Sequence, residues 1–134
     1  MNIAETWRWT GRIGLGILFL ILLTSCAAVF DENEYSRMVD IRVELREARC
    51  TNPQDATIMS QRVKSHVDWL AIYSQHLPDN KNTVSMIAAM RKSTDEFADR
   101  LGREPASSAY CRLKVTMLQD QIDIILKTTA RRPR

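Results

Sequence analysis

Hydrophobic residues recur every three or four positions in four successive segments of the chain, and polar stretches separate these segments. The segments run from Asp31 to Arg49, from about Pro53 to Leu77, from about Thr83 to Leu101, and from Ser107 or Ser108 to about Thr128. This spacing is typical of amphipathic helices, which turn one apolar face towards a shared core. The pattern therefore predicts four helices.

The polar stretches carry residues that end one helix and begin the next. Asn52 followed by Pro53 indicates an N-cap with proline at the first helical position. Asp79 or Asn82 is expected to cap the third helix, and Gly102 is its expected C-terminal glycine. No segment alternates with a period of two residues, and the connections are short. We therefore expect an all-α, up-down-up-down four-helix bundle.

A different pattern precedes the four helices. The 18 residues from Ile13 to Phe30 are uncharged, and Arg8 and Arg12 stand before them. Positive residues stay on the cytoplasmic side, so the body of the protein is expected outside the cytoplasmic membrane. The run contains Leu23-Thr24-Ser25-Cys26. These four residues resemble the lipobox of bacterial lipoprotein precursors, in which the signal peptide is cut before the cysteine and the thiol receives lipid.

The lipobox resemblance implies that residues 1–25 are a cleaved lipoprotein signal peptide, with lipid such as palmitate attached at Cys26. Residues 26–134 then form a helical periplasmic domain with a short basic C-terminal tail. Lipoproteins of enteric type carry Asp after the cysteine when they stay at the inner membrane, and this chain has Ala27. The resemblance therefore implies the periplasmic face of the outer membrane. The alternative is an uncleaved inner-membrane anchor formed by residues 13–30.

The other two cysteines, Cys50 and Cys111, form an even pair in an exported domain, which most simply indicates a disulfide. In an up-down bundle the end of the first helix and the start of the fourth lie at the same pole, so the pair can meet. The loop that this bond closes would contribute about 4 kcal/mol to stability.

Charge and motifs narrow the possible functions. The net charge is only +3, with 19 basic and 16 acidic residues. This balance argues against a dedicated nucleic-acid binder, for which a concentrated basic face would be expected. His66 and His76 are ten residues apart, which does not bring them to one helix face as a metal pair. No motif of a hydrolase, metalloprotease or phosphate-binding loop occurs. We expect a protein that is not an enzyme, with no cofactor, no metal and no small-molecule substrate.

The fourth helix is apolar on more than one face. Its expected core face consists of Cys111, Val115, Leu118, Ile122 and Ile125. Four more apolar residues fall partly off that face, and these are Leu113, Met117, Ile124 and Leu126. A helix of this kind either packs deeply within its own protein or binds a partner. For the second case, Leu113, Met117 and Ile124 are the predicted partner-binding residues, which would contact a peptide or helix of another protein.

The chain ends in Ala130-Arg131-Arg132-Pro133-Arg134, which is expected to fray from the end of the fourth helix. An up-down bundle places this tail and Lys127 at the same pole as Cys26. The tail could then touch anionic lipid headgroups. The alternative is a solvated, disordered tail.

The arrangement as a whole is similar to the pilotins of type II secretion. The shared features are the lipobox cysteine Cys26, Cys50 with the following Asn52-Pro53, and Cys111 at the start of the last helix. Pilotins are small outer-membrane lipoproteins whose disulfide-pinned helical bundle grips a segment of a secretin. The resemblance implies a membrane-anchored, non-catalytic adaptor or pilot that binds a partner protein of the cell envelope.

A phage or mobile-element lipoprotein is the alternative. Such a protein would act in host lysis, as the outer spanin subunit, or in exclusion of a competitor. Outer spanin subunits are often rich in proline and poor in globular structure. The chain has only four prolines alongside its four predicted helices, which makes this alternative the weaker one.

Overall fold

The computed structural model describes residues 28–134, so Cys26 and the predicted signal peptide lie outside the described residues. It contains four α-helices, which are α1 (Glu32–Arg46), α2 (Pro53–Ser74), α3 (Lys81–Arg103) and α4 (Ser108–Ala130). Between residues 28 and 134 there is no β-strand. The prediction of an all-helical fold with four helices is confirmed.

Contacts at the two ends of the molecule show how the helices are arranged. At one end, the N–H of Phe30 donates to the carbonyl of Pro133 (2.9 Å), which places the start of α1 beside the end of α4. At the other end, Cys50 is bonded to Cys111 in the first turn of α4, as predicted. α1 and α3 each pack against both α2 and α4. We call the first end the terminal pole (residues 28–34, 75–83 and 128–134). The other end, which holds Cys50 and Cys111, is the disulfide pole.

The start of α2 agrees with the sequence signals, but other helix ends do not. α1 ends at Arg46 and α2 at Ser74, each three residues before its predicted end at Arg49 or Leu77. Asn52 caps α2 with Pro53 in its first turn, as predicted. The N-cap of α3 is Asn80, so the prediction of Asp79 or Asn82 is wrong, and the Asn80 side chain makes no capping hydrogen bond. Asp79 instead has a positive φ of 52°, which suits the tight turn before α3. α3 also continues through Gly102 and ends at Arg103.

One apolar stripe from each helix forms the core. The core contains ten large apolar side chains that are almost completely buried. These are Met38, Ile41, Leu45, Leu70, Ile87, Met90, Phe97, Leu118, Ile122 and Ile125. Leu126, which was expected to fall partly off the core face of α4, is 6% exposed and belongs to the core. Because α4 packs against both α1 and α3, its buried face is wider than a single stripe.

Four charged side chains join α2 to α3 on the outer surface of the bundle. The Lys64 ammonium contacts the carboxylates of Asp95 and Asp68, and the Arg91 Nε donates to Asp68 Oδ1 at 2.7 Å. The hydrogen bond to Asp95 raises the pKa of Lys64, although partial burial works against it. For the acidic group Asp68, burial acts in the other direction and raises the pKa. The hydrogen bonds from Lys64 and Arg91 outweigh this effect and hold the pKa of Asp68 below its usual value.

We expect Asp68→Asn to lower the free energy of unfolding at about pH 7 by at most about 1 kcal/mol, because surface ion pairs contribute little. Folding lowers the pKa of Asp68 below its usual value of 3.8. The contribution of Asp68 to stability is therefore fully present above pH 3.8 and is lost as the pH falls through the pKa of the folded protein. Urea unfolding of the variant and the wild type measures the effect, once at about pH 7 and once at a pH below the pKa of Asp68 in the folded protein. The control is Asp99→Asn, at an exposed carboxylate of α3. Equal losses in the two variants would contradict the role of the network.

Candidate partner-binding surface

The three predicted partner-binding residues lie on the outer side of α4. Leu113 is 60% exposed, Met117 is 42% exposed and Ile124 is 57% exposed. Their spacing of four and seven residues keeps them on one side of the helix, because α4 has about 3.6 residues per turn. We call Leu113, Met117 and Ile124 the α4 strip. It is a row of large apolar side chains along about half of the helix.

A shallow apolar groove between α3 and α4 continues the α4 strip. It has a volume of about 150 Å³ and is lined by Met86, Ala89, Gln121, Ile124 and Ile125. Gln121 is the polar residue of this lining, and its side-chain amide donates to Ser93 Oγ (3.3 Å) across the α3–α4 seam. The groove was not predicted, because the residues that α3 brings beside α4 follow from how the helices pack and not from either helix alone.

Polar and charged residues surround the α4 strip. Lys114 lies 3.9 Å from Glu96 of α3 on one flank. The exposed Asp120 lies in the row itself, between Met117 and Ile124, so a bound partner must leave this carboxylate in water or pair it with a basic group. An apolar centre within a polar rim is the usual composition of a protein–protein interface. Such a surface can bury apolar side chains of a partner while its own charges stay in water.

A second exposed cluster lies on the α1–α2 seam. Trp69 stacks on Tyr73 with ring centroids 4.7 Å apart, and the Arg37 guanidinium lies 4.8 Å from the Trp69 ring centroid. Arg37 also lies 2.9 Å from His66 Nδ1, and because a guanidinium only donates, this nitrogen accepts. His76 is exposed and hydrogen-bonds its Nδ1 to the Ile72 carbonyl (2.9 Å). The two histidines therefore make separate contacts.

The terminal pole contains a buried polar cluster that sequence reasoning missed. The side chains of Glu34 and Arg132 are 0% and 8% exposed, and Arg132 NH1 donates to Glu34 Oε2 at 2.7 Å. The Asn80 amide donates to Glu34 Oε1 at 2.7 Å. The second terminal nitrogen of Arg132 donates to Asn80 Oδ1 (2.5 Å) and to Thr83 Oγ1. We call Glu34, Asn80, Thr83 and Arg132 the Arg132 cluster.

The Arg132 cluster shows that the expectation of a frayed tail is wrong. Arg132 is anchored to α1 and to the start of α3, and Pro133 accepts the backbone hydrogen bond from Phe30. Arg134 places its guanidinium 5.3 Å from the Phe30 ring centroid. The cluster also explains the missing cap of α3, because the Asn80 side chain points into the bundle and bonds Glu34 and the Ser74 carbonyl. The tail is therefore part of the folded domain.

In the described part of the chain, no three His, Cys, Asp or Glu side chains lie close enough together to hold a metal ion. Of the four helices in residues 28–134, none contains an 18-residue stretch apolar enough to cross a membrane. Comparison of the chain with protein-family models, with curated proteins and with solved structures finds no match to any of them.

Proposed function

We propose that this protein is a lipoprotein anchored through Cys26 at the periplasmic face of the outer membrane. In this proposal it acts as a non-catalytic adaptor or pilot that binds a helix or peptide of another envelope protein. The observation that carries the binding role is the α4 strip, where Leu113, Met117 and Ile124 are exposed beside an apolar groove. The lipobox resemblance and the disulfide support an oxidising, extracytoplasmic location.

The size of the α4 strip suits a short partner segment. Fully burying a leucine, methionine or isoleucine side chain contributes about 1.5–3 kcal/mol, and each strip residue still has about half of its surface to bury. A partner helix would meet these residues at intervals of one and two turns, which is the usual spacing in helix-in-groove recognition. Burying the remaining half of all three side chains contributes about 2–4.5 kcal/mol, so the apolar side chains of the partner must supply much of the affinity.

The disulfide supports binding by holding α4 in place. It fixes the first turn of α4 to the end of α1, and the Arg132 cluster fixes the other end of the same helix. The α4 strip is therefore displayed between two anchored ends. A surface that is already ordered loses less conformational entropy on binding, so more of the burial energy remains as affinity.

Site-specific photocrosslinking in the producing bacterium tests the proposed surface. A photoreactive residue at position 113, 117 or 124 is expected to yield one discrete adduct with an envelope protein. The matched controls are positions 43 and 58, because Val43 on α1 and Ile58 on α2 are both 46% exposed but lie away from the α4 strip. We expect no adduct at these positions. Adducts of equal yield at strip and control positions would contradict the proposal.

Substitution of the strip provides the complementary test. The triple variant Leu113→Ser, Met117→Ser, Ile124→Ser should lose the crosslinked adduct formed from a photoreactive residue at the neighbouring position 120. Its stability should change by no more than about 0.5 kcal/mol per site, because the replaced side chains are on the surface. The double variant Val43→Ser, Ile58→Ser should keep the adduct. If the triple variant keeps the adduct, the α4 strip is not part of the binding surface.

A further inference from the structure

The first described residues leave very little chain between the proposed lipid anchor and the folded bundle. The Phe30 N–H is bonded to the Pro133 carbonyl, so the backbone is held against the end of α4 from residue 30 onwards. Only three residues, Ala27 to Val29, lie between Cys26 and Phe30, so four residue-to-residue steps join the two. Because an extended chain spans at most about 3.6 Å per residue, the Phe30 backbone lies within about 14 Å of the lipid-bearing cysteine.

We infer that the terminal pole rests directly on the phospholipid headgroups and that the disulfide pole lies farther from the membrane. This inference depends on the proposed lipid anchor at Cys26. α4 has 23 residues and is about 35 Å long at 1.5 Å per residue. A tether of about 14 Å cannot bring the disulfide pole to the bilayer while the terminal pole faces away from it.

The chemistry of the terminal pole suits a headgroup layer on its α4 side. Lys127, Arg131 and Arg134 are exposed there, and Val29 offers an apolar side chain that is largely exposed beside the anchor. Anionic headgroups attract basic residues that lie near the membrane surface. Glu32 at the start of α1 and Asp79 in the α2–α3 turn carry the opposite charge, and the exposed Lys81 offsets Asp79 on the turn side. We therefore expect the tail side of the pole to be closer to the bilayer than the turn side.

A depression at this pole could receive a headgroup phosphate. It has a volume of about 290 Å³, and its lining includes Asn82 and Arg131 as well as the acidic residue Asp79. The side chains of Asn82 and Arg131 can donate hydrogen bonds, and phosphate oxygens accept them, most strongly from a guanidinium. Arg132, which also lines the depression, is held by Glu34 and leaves Arg131 as the free guanidinium of this pair. The ligand class is thus the phosphate of an anionic phospholipid.

This orientation has a consequence for partner binding. Ile124 lies six residues before the end of α4 and therefore near the membrane, whereas Leu113 lies near the disulfide pole. The Leu113 end of the α4 strip then lies farther from the bilayer than the Ile124 end. A partner segment bound along the strip would also run outwards from the membrane surface.

Fluorescence quenching by headgroup-labelled lipid tests the inference. The full chain, processed in bacteria, is reconstituted into vesicles of phosphatidylethanolamine and phosphatidylglycerol with a fluorescent amino acid at position 131 or 103. Both positions hold exposed arginines, at the terminal and the disulfide pole respectively. Contact quenching requires molecular proximity, so we expect it to be at least about fivefold stronger at position 131, given poles about 35 Å apart. Equal quenching at the two positions would overturn the inference.

Charge reversal and flotation complete the test. Arg131→Glu with Arg134→Glu should reduce quenching of a fluorophore at position 128 at least about twofold, because it removes the attraction to anionic lipid. Arg103→Glu with Arg112→Glu, near the disulfide pole, should leave it unchanged. Unchanged quenching in the variant with Arg131→Glu and Arg134→Glu would show that the tail does not contact the headgroups. Failure of the protein to float with the vesicles would overturn the lipid anchor itself, which separates the two proposals.

Discussion

Arg132→Met is expected to lower the free energy of unfolding by about 3–5 kcal/mol, because it leaves the carboxylate of Glu34 buried without its cationic partner. Glu34 is fully buried, and Arg132 contributes both the ion pair and the hydrogen bonds to Asn80 and Thr83. Such a loss is a large part of the stability of a typical domain, which is about 5–15 kcal/mol. Urea unfolding followed by circular dichroism measures it as a shift of the midpoint.

The matched control for this prediction is the neighbouring residue. Arg131 is exposed, so Arg131→Met should change the free energy of unfolding by no more than about 0.5 kcal/mol. Deleting residues 131–134 should cost at least as much as Arg132→Met, because it also removes the Pro133 carbonyl that Phe30 bonds. Equal midpoints for Arg131→Met and Arg132→Met would show that the Arg132 cluster does not form in solution.

Removing the disulfide is the second change with a large expected effect. Cys50 and Cys111 are 61 residues apart in sequence. In the chain-entropy model, a cross-link over a loop of this length stabilises the folded state by about 4 kcal/mol, because it restricts the unfolded chain. The double variant Cys50→Ser, Cys111→Ser should therefore unfold at a much lower urea concentration than the oxidised protein.

Reduction of the bond gives an independent measurement of the same quantity. The oxidised protein in the presence of a thiol reductant should lose about the same free energy of unfolding as the double variant. The double variant itself should be insensitive to reductant, which controls for effects of the thiol on the rest of the chain. If oxidised and reduced protein unfold at the same midpoint, the bond does not contribute in this way.

Local signals in the sequence were sufficient for most of the fold. The apolar period of three to four residues identified all four helices, and Asn52 with Pro53 identified the start of α2. The pairing of Cys50 with Cys111 followed from the antiparallel order of the helices. These features depend on residues close in sequence or on the order of the elements, so one sequence can reveal them.

The Arg132 cluster could not be predicted in the same way. Glu34 has the sequence signature of an acid in the first turn of a helix, and Arg132 that of a base in a terminal tail, and both are usually solvated. The two residues are 98 positions apart, and their contact depends on how α1 and α4 are aligned. Asn80 illustrates the same limit, because its side chain leaves the capping position of α3 to bond Glu34.

The part of the candidate surface that lies on α4 could be predicted from the sequence, whereas the groove between α3 and α4 could not. Helical spacing alone separated Leu113, Met117 and Ile124 from the core face, and all three are exposed. The same reasoning misplaced Leu126, because it treated α4 as having one packed face although the helix contacts two neighbours. The groove with α3 depends on helix packing, which the spacing within a single helix does not encode.

The intact mass of the protein extracted from bacterial membranes tests the central claim most directly, namely that the mature chain begins at a lipid-bearing Cys26. Wild type and Cys26→Ala are compared. The proposal predicts a wild-type mass equal to residues 26–134 plus acyl chains, and loss of that species in the variant. A mass equal to all 134 residues in both proteins would contradict it and would favour an inner-membrane anchor formed by residues 13–30.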